Sequence, residues 1–162
     1  MTVTTSTRDA EALTLTIATE LAATPERAWQ LWADPRQLER WWGPPGYPAT
    51  FHRHEFEVGG QSRYYMTGPE GDRSHAWFQI TSIDEPHRLE LDDGFSDNTG
   101  EPIDPDDRAH ITVTFEPTDA GTRMTVLTQF SSSEQLERLI AMGMQEGMAL
   151  AMGQIDAILA EG

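Results

Sequence analysis

The segment from Ser131 to about Ala160 constrains the fold more than any other part of the chain. Its apolar side chains fall on one broad arc that includes Leu136, Leu139, Ile140, Ala151, Met152, Ile155, Ile158 and Leu159. Ser131 and Glu134 stand at capping-box spacing, so the segment is predicted as a single helix. At roughly 1.5 Å per residue such a helix is about 40 Å long, enough to cross a whole domain. An arc this wide means that the helix is held on much of its circumference by the rest of the chain.

The preceding residues supply that surround. Leu13, Leu15 and Ile17 alternate with Thr14, Thr16 and Ala18, the period of a half-buried strand ending near Leu21. Thr24-Pro25 and Asp34-Pro35 each place a capping side chain before a proline, which opens two short helices in succession. The first carries Trp29 and Trp32 and the second Leu38, Trp41 and Trp42, and Gly43-Pro44-Pro45-Gly46 stops the second. Strands are then predicted at 50–58, 61–67, 76–83, 88–92, 109–116 and 122–130, most of them separated by short turns. Short turns favour an antiparallel meander over βαβ units. The expected fold class is α+β, with a seven-stranded curved antiparallel sheet around the long C-terminal helix.

Residues 1–12 are polar, lack the apolar stretch of a signal peptide, and are expected to form a flexible tail ahead of one domain at 13–162. Five Trp, six Phe and three Tyr provide a large buried area without disulfides, since the chain has no Cys. A cytoplasmic setting is the expectation. The net charge of −16, with no Lys anywhere, argues against nucleic acid and anionic membranes as partners. No apolar run reaches the roughly 18 residues of a membrane span.

Certain segments resemble a known superfamily. Thr24-Pro25-Glu26-Arg27-Ala28-Trp29, Asp34-Pro35 with Leu38, and Trp41-Trp42-Gly43-Pro44 resemble the N-terminal signature of the SRPBCC (START/Bet v 1-like) superfamily. Val58-Gly59-Gly60, Glu85-Pro86-His87-Arg88-Leu89 and Gly121-Thr122-Arg123-Met124-Thr125 continue the resemblance in order, toward the branch similar to the C-terminal domain of the activator of the Hsp90 ATPase. Glu57 and Met148 depart from the Arg and Trp common in that branch. The resemblance implies a helix-grip fold with a cavity between sheet and helix, often for apolar or aromatic molecules. Relatives include lipid carriers, hormone receptors, polyketide cyclases and co-chaperones, so it implies no single activity.

Candidate pocket residues follow from the apolar phases of the strands and from the Met-rich stretch of the last helix. Tyr64 and Met66 share one strand face, Phe78 and Ile80 the next, and Val113 and Met124 lie on the last two strands. His54 and Phe56 are placed on one face with His52, and Phe95 is a candidate within the acidic loop at 92–108. Met144 and Met148, interleaved with Gly143 and Gly147, can line an adaptable pocket, and Trp41 and Trp42 stand at its presumed mouth. His52-x-His54 supplies two ligands where a metal wants three or four, so neither a metal nor a cofactor is expected. The acidic loop lacks EF-hand spacing. The leading expectation is a binding protein for a small apolar or aromatic molecule, with no convincing catalytic constellation. Alternatives are a cyclase- or hydrolase-type enzyme using a pocket His, Tyr or carboxylate, or a co-chaperone-like interaction protein. A chaperone partner is not expected, while a homodimer through a sheet edge or the tryptophan pair is compatible with the sequence.

Overall fold

In the computed structural model, which describes residues 4–161, strand β2 (Thr14–Leu21) buries Leu15, Ile17 and Leu21 on one face as their alternation dictates. Helix α1 (Pro25–Ala33) starts where the Thr24 hydroxyl accepts a hydrogen bond from the Arg27 N–H, at 3.2 Å. Helix α2 (Pro35–Trp42) starts the same way, with the Asp34 carboxylate accepting from the Arg36 N–H at 2.9 Å. Six strands follow: β3 (Ala49–His54), β4 (Gln61–Thr67), β5 (Arg73–Asp84), β6 (Arg88–Phe95), β7 (Ala109–Thr118) and β8 (Gly121–Gln129).

The sheet contains eight strands rather than the seven expected. The additional strand, β1 (Thr4–Asp9), lies in the segment read as a polar tail and pairs with β2 from Thr4↔Thr19 to Asp9↔Thr14. Edge pairing needs only backbone groups, so this strand carries no apolar alternation to announce it. The order is β1-β2-β8-β7-β6-β5-β4-β3, antiparallel throughout. Register shifts in β3, between Phe51 and Arg53, and in β5, between Ile80 and Ser82, are bulges that bend the sheet.

The C-terminal segment also differs from expectation, forming three helices: α3 (Ser133–Ala141), α4 (Met144–Met152) and α5 (Ile155–Ala160). Gly143 adopts φ 89°, a left-handed conformation that ends α3 and that any side chain would strain. Gly153 stays right-handed, so there the break is mild. The N-cap is Ser132, one residue later than read: its hydroxyl accepts from the Gln135 N–H at 3.1 Å, and Gln135 Oε1 accepts from the Ser131 N–H at 2.8 Å. Met152, Ile155 and Ile158 pack into one core with Trp29, Trp32 and Trp41 and the apolar face of the sheet. Among the described residues, no helix is long and apolar enough to cross a membrane.

Candidate functional site

Where the inner face of the sheet carries Ile80, Leu91, Ile111 and Val126, the aromatic residues of α1 and α2 fill the space above it. Toward the other end of the same strands the inward residues become small: Ser74 and Ala76 on β5 and Ala109 on β7. Small side chains opposite α3 and α4 leave volume unfilled. The result is a recess of about 600 Å³ between sheet and C-terminal helices.

Its floor follows the strand register. Tyr64 pairs with Ala76 and Ala76 with Phe95, while Asp93 pairs with Ala109. Trp42, Pro44, Pro45 and Tyr47, from the end of α2 and the turn beyond it, form one wall. Leu139 of α3 and Met144, Gly147, Met148 and Leu150 of α4 form the opposite one. Exposed apolar side chains fringe the mouth: Tyr47, Phe95, Met142 and Leu150, with Ile103 in an adjoining dimple beside Phe95. At the rim the Asp107 carboxylate accepts from Arg138 Nη2 at 2.8 Å and from Gln135 Nε2 at 3.0 Å, which ties the end of the acidic loop to α3. The hydrogen bond from Arg138 holds the Asp107 carboxyl below its ordinary value.

Three polar groups point into this apolar space. Asp93 extends the inward alternation of Leu89 and Leu91, and burial, followed by the charge of Asp92, pushes its carboxyl up to about 7. Tyr64 is buried, and its ring meets that of Trp42 edge-on at 6.2 Å. Burial raises the Tyr64 phenol, the Asp93 carboxylate raises it further, and the nearby Trp42 N–H opposes both. Trp42 is 4% exposed, and among the described residues its indole N–H makes no hydrogen bond of full geometry, although it lies close enough to the Tyr64 hydroxyl to act on it. A buried donor without an acceptor is costly, and its usual partner is a ligand or an ordered water.

The predicted site residues divide into two groups. Trp42, Tyr64, Met66, Phe95, Met144 and Met148 line the recess. Trp41, Phe78, Ile80, Val113 and Met124 are fully buried in the core, and Trp41 Nε1 donates to the Leu31 carbonyl at 2.9 Å. Phe56 packs edge-on against Trp29, with ring centroids 5.7 Å apart.

His54 is also outside the recess. Its Nε2–H donates to the Trp32 carbonyl at 2.9 Å, so Nδ1 accepts from the Ser62 hydroxyl at 2.7 Å. Burial lowers its pKa, so this is a neutral imidazole held in a structural bridge. The face shared by His52 and His54 does not exist, because the β3 bulge turns exposed His52 outward and half-buried His54 inward. Among the described residues no three His, Asp or Glu side chains gather as a metal site. The 92–108 segment is loop only beyond Phe95, and there the bridge Ser96↔Pro102 folds it back on the sheet.

Asp93 is the residue that sequence reading missed. Asp92 and Asp93 read as the start of the acidic loop, yet the Leu89, Leu91 alternation runs straight on to Asp93. The small residues Ser74, Ala76 and Ala109 were missed as well, since a cavity is signalled by what a side chain lacks.

A single antiparallel sheet, two short helices after its second strand and C-terminal helices laid over an open recess define a helix-grip domain of the SRPBCC superfamily. The chain belongs to the family described as activator of Hsp90 ATPase homolog 1-like protein, which matches residues 22–160. It is similar to the solution structure of a protein from Arthrobacter aurescens, with 51% identity, 98% of this chain and 92% of that one covered, and a TM-score of 0.91. It is also similar to the crystal structure of protein Ms6760 from Mycobacterium smegmatis, with 42% identity, 98% and 97% covered, and a TM-score of 0.89. A Rhodobacter sphaeroides protein shares 25% identity over 100% of both chains, with a TM-score of 0.83. No curated protein matches the chain.

Proposed function

We propose that this protein binds a small apolar or aromatic molecule in the recess between the sheet and α3–α4. The observation that carries the reading is a hollow of about 600 Å³ with Met144, Met148, Met66 and Trp42 on its walls and few polar groups inside. Sites for small organic ligands have this size and lining. The methionines adapt to ligand shape. The family takes its description from an ATPase activator, but a concave, largely apolar recess favours a small molecule. An acid–base enzyme in the same recess keeps two candidates, Asp93 and Tyr64, and loses His54.

Titration with Nile red, an uncharged apolar dye, tests the reading. Saturable one-to-one binding with blue-shifted emission is expected, abolished by Met148→Trp, which fills the hollow. A dye response that is absent, or that Met148→Trp leaves unchanged, would remove the recess from consideration.

A further inference from the structure

The polar groups inside the recess specify more than an apolar ligand. We infer that the ligand carries a carbonyl-type oxygen, seated where the Trp42 N–H, the Tyr64 hydroxyl and the Asp93 carboxyl converge on the recess. This deepens the small-molecule reading and rests on it. Trp42 is almost wholly buried, lines the recess, and among the described residues has an indole N–H with no acceptor at full hydrogen-bond geometry, only the Tyr64 hydroxyl nearby, whereas Trp41 and Trp32 have found theirs on Leu31 and Met124. An indole N–H only donates, so whatever satisfies it must accept. The Tyr64 hydroxyl, beside it, donates as well as accepts.

The third group decides between ligand chemistries. As an ionised carboxylate Asp93 would select a hydroxyl; as a neutral acid it is a third donor. No hydrogen bond or cation acts on Asp93 to hold its charge. The charged and titratable groups around it are Asp92 on its own strand, itself paired with Arg108 and His110, Tyr64 on β4, Glu146 on α4, and Asp107 with Arg138 across the mouth. Arg138, which lines the rim, is already committed to Asp107 and is neutralised there. The acidic groups favour the neutral form of Asp93, and three donors then face one acceptor.

Two isosteric probes separate this inference from the reading beneath it: 2-acetylnaphthalene, which has the acceptor, and 2-isopropenylnaphthalene, in which a CH2 group replaces the oxygen. Binding to the intact protein is followed by tryptophan fluorescence at about pH 6 and about pH 8.5, on either side of the Asp93 titration. The ketone should bind about tenfold tighter than the hydrocarbon at the lower pH, as expected for a buried hydrogen bond left unmade. That preference should shrink several-fold at the higher pH. In Asp93→Asn, whose amide N–H still donates, the preference should persist at both. If both probes bind equally at both pH values, the carbonyl inference is overturned while small-molecule binding stands. If neither binds, both readings fall.

Discussion

Replacing Asp93 by asparagine should stabilise the protein, and by an amount that depends on pH. Asp93 has an ordinary carboxyl value of 3.8 in the unfolded chain and about 7 in the fold. The folded value is raised, so its favourable contribution is complete below about pH 4 and is lost as pH rises through 7. The difference is about three units at about 1.4 kcal/mol each, or about 4 kcal/mol as an upper bound above pH 7. At pH 5.5 the same linkage gives about 2 kcal/mol. Asparagine keeps the shape and removes the ionisation. Urea denaturation of the two proteins should therefore show a stability gap that widens by about 2 kcal/mol from pH 5.5 to pH 8. Taking the difference between variant and parent at each pH removes most effects of the other titrating groups. Parallel stability curves, with a constant gap, would refute the claim that half-buried Asp93 lies in the recess without a charge partner.

Gly147→Ala should stabilise the fold by up to about 1 kcal/mol, because a Cβ there meets only Pro44 Cγ at 4.0 Å in the open recess. The same change should weaken Nile red binding, so thermal unfolding and dye titration move in opposite directions. Trp41→Ala should cost about 3–5 kcal/mol in chemical denaturation, since a fully buried indole and its hydrogen bond to Leu31 are lost. His54→Ala should cost about 1–3 kcal/mol in the same assay, from the Trp32 carbonyl and the buried Ser62 hydroxyl left unpaired. His110 should behave oppositely to His54 with pH: burial lowers it, but hydrogen bonds to Glu90 and Asp92 outweigh this and leave it raised. Its contribution is complete below the ordinary value of 6.5 and fades as pH rises through the folded one, so His110→Gln should destabilise more in acid than in base.

Legibility in the sequence follows the kind of physics involved. The capped starts at Thr24-Pro25 and Asp34-Pro35 and the alternation in β2, β7 and β8 are local signals, and the elements stand where those signals place them. The eighth strand pairs through its backbone, which no side-chain period reveals. The broken C-terminal helix was signalled by Gly143 and Gly153, whose cost in a helix interior is the force that divides it. The methionines and Trp42 of the recess were legible as an apolar stripe beside glycines. Phe78, Val113 and Met124 share that pattern but lie under α1 and α2, and periodicity cannot tell a filled stretch of sheet from a hollow one. The β3 bulge separated His52 from His54, and a single extra residue of that kind leaves no local mark.

The indole N–H resonances of the five tryptophans offer the most direct test of the recess as a binding site. With 2-acetylnaphthalene added to nitrogen-15-labelled protein, the Trp42 resonance should shift strongly and saturably while those of core Trp29, Trp32 and Trp41 stay nearly still. A Trp42 signal that does not move, or a ligand that shifts only residues outside the recess, would contradict the account.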